Sequence, residues 1–195
     1  MLLTEYAISV CFQSDSGLNP FIIKMDHHRM NSITTDTDVF SRASRLISSC
    51  HAMTLATADD ITPWAAPVYY ANIKSFFYFF SNPDARHIQN ALAAGSAACA
   101  IYAEGGSWQD LQGIQMSGKI TPATQADQAA KAVIEYVKKF PLVKTFFPTI
   151  KNLTLNSFIK RFHASLYCFQ PDYIVYMDNT VDFGFRQEIP VDALT

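Results

Sequence analysis

The sequence predicts a mainly β chain, an antiparallel barrel of six or more strands with helices flanking its ends and sides. Three observations carry that prediction. Residues 51–58, 64–71 and 76–81 are strand-like runs joined by short polar turns, the pattern of a β-meander. The third run, Ser75-Phe76-Phe77-Tyr78-Phe79-Phe80-Ser81-Asn82, is apolar on both faces and so belongs inside a barrel or an interface. Further strand-like runs follow at 97–104, 114–120, 164–169 and 173–177.

Taken in order, residues 1–35 lack sustained periodicity and read as an irregular N-terminal arm. Its adjacent His27 and His28 point in different directions on any regular element and are expected to be solvated rather than metal-bound. From residue 36 to 195 a single barrel domain is expected. Its first helix takes Asp36 or Thr37 as N-cap, with Val39, Ala43, Leu46, Ile47 and Cys50 at helical spacing. The polar turn Asp59-Asp60-Ile61-Thr62 separates the first two strands. After the third strand a short helix spans 84–94, with Gly95 where a C′ glycine belongs.

Gly105-Gly106 then breaks the chain. Ile114, Met116 and Ile120 alternate with Gln115, Ser117 and Lys119, as on a strand with one wet or ligand-facing side. A helical insertion is expected over about 124–163. Thr124-Gln125-Ala126-Asp127 resembles a capping box, and Ala126, Ala130, Val133, Ile134 and Val137 form a stripe that ends before Pro141. Lys138, Lys139 and Lys144 sit where a helix dipole favours cations. The stretch with Phe146, Phe147 and Phe158 is expected to be partly helical, as a lid or dimer contact. Two strands at 164–169 and 173–177 lead through Asp178-Asn179-Thr180 to a last short strand over Phe183-Gly184-Phe185-Arg186.

Composition narrows the function classes. With 195 residues the chain can bury a core without disulfides or a metal. A formal net charge of -2 provides no basic field for nucleic acid, so the expected partners are small molecules and a second copy of the chain. Cys11, Cys50, Cys99 and Cys168 are widely spaced and read as reduced thiols, and the N-terminal residues lack a secretory pattern, so the protein is expected in the cytoplasm. No apolar run approaches the ~20 residues that span a bilayer, so no membrane helix is expected.

The chemistry-bearing candidate is the segment Ser81 to His87. Free N–H groups at a helix start, the Arg86 guanidinium and the His87 imidazole are the donors a phosphate-sized anion requires, with Ser81 and Asn82 on the approach. The competing reading, which periodicity alone favours, is that Asn82 or Asp84 merely caps the helix while Arg86 is solvated and Ala85, Ile88 and Leu92 face the core. Asp84 would also repel a phosphate. Gly113-Ile114-Gln115-Met116-Ser117-Gly118-Lys119 imitates a nucleotide-binding loop, but Ile120 stands where Ser or Thr must bind magnesium and the segment alternates as a strand. No nucleophile with a partnered base is recognisable, which suits a protein whose chemistry resides in a cofactor.

Several of these segments resemble the pyridoxamine 5′-phosphate oxidase-like FMN-binding split barrels. They are Met53-Thr54-Leu55-Ala56-Thr57-Ala58-Asp59, Pro63-Trp64-Ala65-Ala66-Pro67-Val68-Tyr69-Tyr70, Phe77-Tyr78-Phe79-Phe80-Ser81-Asn82 and Ala85-Arg86-His87. The segments Gly113 to Gly118 and Asp178 to Gly184 resemble an uncharacterised bacterial subgroup of that superfamily. The resemblance covers about residues 36–188 and implies a split β-barrel, a homodimer and an FMN at each subunit interface.

It further implies that Arg86 and His87 hold the phosphate and that the backbone of Ala65, Ala66, Pro67 and Val68 runs along the isoalloxazine. Ser81 and Asn82 would approach the ribityl or phosphate end, Gln115 the ring or chain, and Arg186 could complete the partner's site. Two positions depart from the family pattern: His87 is more often Lys, and Ala66 more often Arg. Both departures remove positive charge, which leaves another flavin or haem as alternative ligands. The expected function is an FMN-dependent oxidoreductase acting on an unknown small substrate. The alternatives are a non-catalytic flavin or haem binder or sensor, and a cofactor-free structural dimer. The oxidase activity itself is not implied, because its substrate-recognising tail is not recognisable.

Overall fold

The computed structural model describes residues 35–103, 105–146 and 154–194. The expected arm over residues 1–35, with His27 and His28, therefore lies outside the described residues save for Thr35. Seven strands form one antiparallel sheet: β1 (Ala52–Ala58), β2 (Pro63–Ile73), β3 (Phe76–Ser81), β4 (Ala97–Ala103), β5 (Gln112–Pro122), β6 (Ser165–Asp178) and β7 (Arg186–Glu188). Their order is β3-β2-β1-β4-β5-β6-β7, and β3 also pairs with β6, so six strands close on themselves and β7 adds to the outside. The result is the expected antiparallel barrel with flanking helices.

Period-2 alternation places one set of side chains inside. Met53, Leu55, Phe77, Phe79, Cys99, Ile101, Ile114 and Met116 fill the barrel. β3 is apolar on both faces for a reason the sequence left open. Phe77 and Phe79 point inward, whereas Tyr78 and Phe80 lie beneath α3 (Ala126–Lys139) and α4 (Leu155–Phe162), with Phe80 stacked on Phe158 at 4.9 Å. The second face is thus covered by helices. β6 is one continuous strand where the sequence suggested two: its first half pairs with β3 and its second half with β7, so one strand serves two neighbours on the same edge.

Several boundaries shift by local chemistry. The first helix, α1 (Asp36–Ser49), is capped by Thr35, whose Oγ1 accepts from the Asp38 N–H at 3.3 Å, rather than by Asp36 or Thr37. α3 has no side-chain cap, so the apparent capping box is not used, and it buries Ala129, Ala132, Val133 and Val137 while Ile134 is exposed. The last strand begins at Arg186, because Gly184 takes a positive φ of 75° and ends a turn. Among the described residues no helix is long and apolar enough to cross a membrane, and no group of three or more His, Cys, Asp or Glu could hold a metal ion. Cys50, Cys99 and Cys168 are free thiols.

Candidate functional site

The second helix, α2 (Arg86–Ala94), packs across one end of the barrel and buries Ile88, Asn90 and Ala91, leaving Leu92 exposed. It begins at Arg86 with an extended Ala85 as N-cap, and no side chain caps it. Asn82 instead closes the preceding turn, its Oδ1 accepting the Asp84 N–H at 2.9 Å. The cap reading of Asn82 and Asp84 therefore fails: the Ile88 and Gln89 N–H groups donate to the Ala85 carbonyl, and those of Arg86 and His87 have no side-chain acceptor.

Three residues hold Arg86. Its guanidinium lies over the Trp64 ring, 4.7 Å from the centroid, and donates from Nη2 to Asp59 Oδ2 at 3.0 Å. Asp59 is itself fixed by the β1–β2 turn, where Oδ1 accepts the N–H of Ile61 at 3.2 Å and of Thr62 at 2.8 Å. Those backbone bonds, and then Arg86, hold its carboxyl below the usual carboxylate range. Asn90 adds a brace. With its amide turned to satisfy both ends, it donates to the Arg86 carbonyl and accepts from the Asp59 N–H, each at 3.2 Å.

His87 turns the other way. Its Nε2 is 2.8 Å from the Ser81 Oγ, with the donor set by the imidazole tautomer, and burial pushes its pKa below the ordinary histidine value. Burial thus favours the neutral imidazole, in which one ring nitrogen donates and the other accepts. Beside this cluster the Thr57 hydroxyl, opposite Trp64 in the β1–β2 register, is the one buried side-chain polar atom among the described residues without a hydrogen-bond partner.

The remaining expected residues lie on the barrel wall. Ala66 and Val68 face inward and are buried, so only their backbone can meet an outer ligand, whereas Ala65 and Pro67 face out. Pro67, Thr54, Ala100 and Gln115 form one row across β2, β1, β4 and β5, which puts Gln115 about 14 Å from Pro67 at the usual strand spacing. Gln115 is exposed. A second row, Ala65, Ala56, Ala98 and Ser117, runs beside it. The wall is thus paved with small side chains, and Tyr69, Tyr102 and Tyr173 stand exposed around it at 62%, 61% and 48%. Arg186 is exposed on β7.

Ser81, Asn82, Arg86 and His87 therefore gather at one barrel end, while Gln115 belongs to the wall. Sequence reading missed Asp59, Trp64 and Asn90. Asp59 and Trp64 were visible only as a turn residue and a strand start, although their 27- and 22-residue separations from Arg86 follow from the meander. A guanidinium, two uncapped helix-start N–H groups and the Ser81–His87 pair are the kinds of donor a phosphate-sized anion takes, although His87 is directed away from Arg86 and the Asp59 carboxylate already occupies one side of the guanidinium. The set carries one formal positive charge, as the departures at Ala66 and His87 suggest.

A family model described as "Pyridoxamine 5'-phosphate oxidase" matches residues 41–151. No curated protein matches the chain in sequence. Solved structures share the fold at low identity. The heme binding protein from Mycobacterium smegmatis is 16% identical, with a TM-score of 0.60 over 80% of this chain and 59% of that one. HutZ, the haem storage protein from Vibrio cholerae, is 12% identical, with a TM-score of 0.54 over 68% and 89%. A FAD-binding protein from Mesorhizobium loti is 13% identical, with a TM-score of 0.52 over 69% and 90%.

Proposed function

This chain belongs to the pyridoxamine 5′-phosphate oxidase family, and from that premise we propose that it is a homodimeric FMN-binding flavoprotein acting as an oxidoreductase on a small substrate. The observation that carries the reading is Arg86, held over the Trp64 ring at an uncapped helix start. A guanidinium already held by a ring and a carboxylate loses less freedom when it grips a phosphate than a fully solvated one would. Arg86 and the N–H groups of Arg86 and His87 would hold the phosphate, and Ser81 and Asn82 would meet the ribityl end. Bound flavin would supply the electron transfer.

The wall supports the remainder. Ala56, Ala65 and Ala98 stand side by side on three strands, so a planar ring can approach the sheet along the backbone of Ala65, Ala66, Pro67 and Val68. A second copy seated on the exposed tyrosines would cover the ring's other face, with Gln115 or the partner's Arg186 at its edge. A second reading, a haem or other flavin binder without turnover, is favoured by the single positive charge at the anion site. Proteins of this fold named for haem and FAD are consistent with it.

The test is the absorption spectrum from about 350 to 600 nm and an FMN titration of the protein and of Arg86→Ala. Saturable flavin binding that weakens by about 1.5 to 3 kcal/mol in the variant is expected, the range for hydrogen bonds to charged groups. An unchanged dissociation constant would sink the phosphate assignment, and a Soret band would favour haem. Reduction of bound flavin by a nicotinamide cofactor, with turnover, separates an enzyme from a binder.

A further inference from the structure

We propose that Asp59 is a built-in counter-ion of Arg86 that an anionic ligand must compete with, so that this chain binds its phosphate-bearing ligand weakly and exchangeably. The inference rests on the phosphate reading of Arg86 given above. A surface arginine with a solvated, mobile partner would say nothing, but this pair is constructed from both sides. Asp59 is restrained although half-exposed, because Oδ1 accepts from the N–H groups of Ile61 and Thr62, leaving Oδ2 aimed at Arg86. Arg86 is held over Trp64, and Asn90 ties the Arg86 carbonyl to the Asp59 N–H.

The consequence is electrostatic. A phosphate dianion arriving at the helix start meets a guanidinium whose charge is already opposed at 3.0 Å, and it comes to rest near a carboxylate that stays ionised. His87 compensates little, since burial disfavours its charged form and its Nε2 is engaged with Ser81. The free edge of the guanidinium and the helix N–H groups still offer hydrogen bonds, so binding is possible but reduced. Asp59 thus sets the affinity through Arg86 without touching the chemistry of the ligand.

Asp59→Asn separates charge from shape, because the amide oxygen can still accept from Ile61 and Thr62 and keep the turn. The ligand-free protein is treated with phenylglyoxal, which modifies guanidinium groups, and modification of the Arg86 peptide is followed by mass spectrometry across a series of inorganic phosphate concentrations. We expect faster modification of Arg86 in Asp59→Asn without phosphate, and protection at about two- to five-fold lower phosphate, the scale of exposed ion pairs. FMN should tighten by a similar factor, whereas riboflavin, which lacks the phosphate, should not change. Equal modification rates and equal protection in the two proteins would overturn the counter-ion whatever FMN does. Protection at lower phosphate in Asp59→Asn, with no FMN binding by either protein, would instead refute the FMN reading and leave the counter-ion standing.

Discussion

Replacing Asp178 by alanine should destabilise the protein more than any exposed acidic substitution. The Asp178 side chain is fully buried at the end of β6, and five donors converge on it. Oδ2 accepts from the Tyr176 hydroxyl at 2.8 Å, Gln112 Nε2 at 3.2 Å and Arg42 NH1 at 3.3 Å. Oδ1 accepts from the Thr180 hydroxyl at 2.6 Å and the Thr180 N–H at 2.9 Å. Alanine would orphan the Tyr176 hydroxyl, which belongs to a fully buried residue, at a cost of about 1–3 kcal/mol. Thr180 and the partly exposed Arg42 can turn to water, so the total falls somewhat below the 3–5 kcal/mol of a fully buried broken pair, at about 2–4 kcal/mol. Urea unfolding at pH 7 measures it as a lower midpoint with unchanged slope.

Two comparisons sharpen the test. Asp172→Ala removes only an exposed bond to Ser117 and should change stability by less than about 0.5 kcal/mol. Adding Tyr176→Phe to Asp178→Ala should recover about 1 kcal/mol, because the orphan hydroxyl disappears. The acid dependence follows from the same bonds. Burial raises the Asp178 pKa, but the Thr180 and Tyr176 hydroxyls outweigh it and hold the group below its ordinary 3.8. A depressed carboxylate stabilises above its unfolded pKa and loses that contribution as pH falls through its folded one, so the gap to Asp178→Ala should narrow only below about pH 4. A loss under 1 kcal/mol at pH 7 would refute the reasoning.

Other substitutions probe the barrel and its outer wall. Lys139 donates to the Ile47 carbonyl at 3.0 Å and lies over the Tyr70 ring, and burial lowers its ammonium from 10.5 to about 8. The unfolded chain therefore holds this proton to higher pH, and stability relative to Lys139→Met should rise by on the order of 1 kcal/mol between pH 8 and 10.5, after allowance for partial exposure; a flat difference in urea unfolding would contradict it. Gly118→Ala would drive a methyl group into the Gln170 carbonyl oxygen where β5 and β6 shift register, so thermal unfolding should show a loss of about 1–3 kcal/mol. Ala98→Glu puts a charge in the middle of the outer wall and should convert a dimer to monomer in sedimentation; an unchanged mass would remove that wall from the proposed interface.

What could be read from the sequence was what neighbouring residues decide. Alternation located β1, β2 and β4, and the αL glycine at Gly95 marked the end of α2. A barrel was legible, but the pair of strands that closes it was not, because closure joins Phe77 to Phe169 across nearly half of the chain, and both segments are apolar enough to pair with several others. The division of labour in Asp178-Asn179-Thr180 was also hidden. In the sequence these residues are only a polar connection to the last strand, yet Asp178 anchors α1 through Arg42, and Asn179 ties the Trp108 carbonyl to the Gly184 N–H. Polar residues in a turn do not reveal whether their partners are solvent, ligand or backbone until the register is known.

The same limit governs the candidate site. Arg86 and His87 were legible as donors at a helix start, but their charge was not, since it depends on neighbours brought in by the meander. The β1–β2 turn delivers a carboxylate to Arg86, and the β3 end delivers Ser81 to a His87 whose charged form burial disfavours. One paired guanidinium is a weak electrostatic attractor, so selectivity for an anionic planar ligand would have to come from shape. The proposed site would draw that shape from the wall, where Ala65, Ala56 and Ala98 lie in register across three strands and present only methyl groups to an approaching flat ring. A larger side chain at any of the three would lift the ring off the other two. Affinity built partly on contact area should fall less steeply with salt than that of a site held by phosphate attraction alone, with the Arg86 contribution the part that is screened.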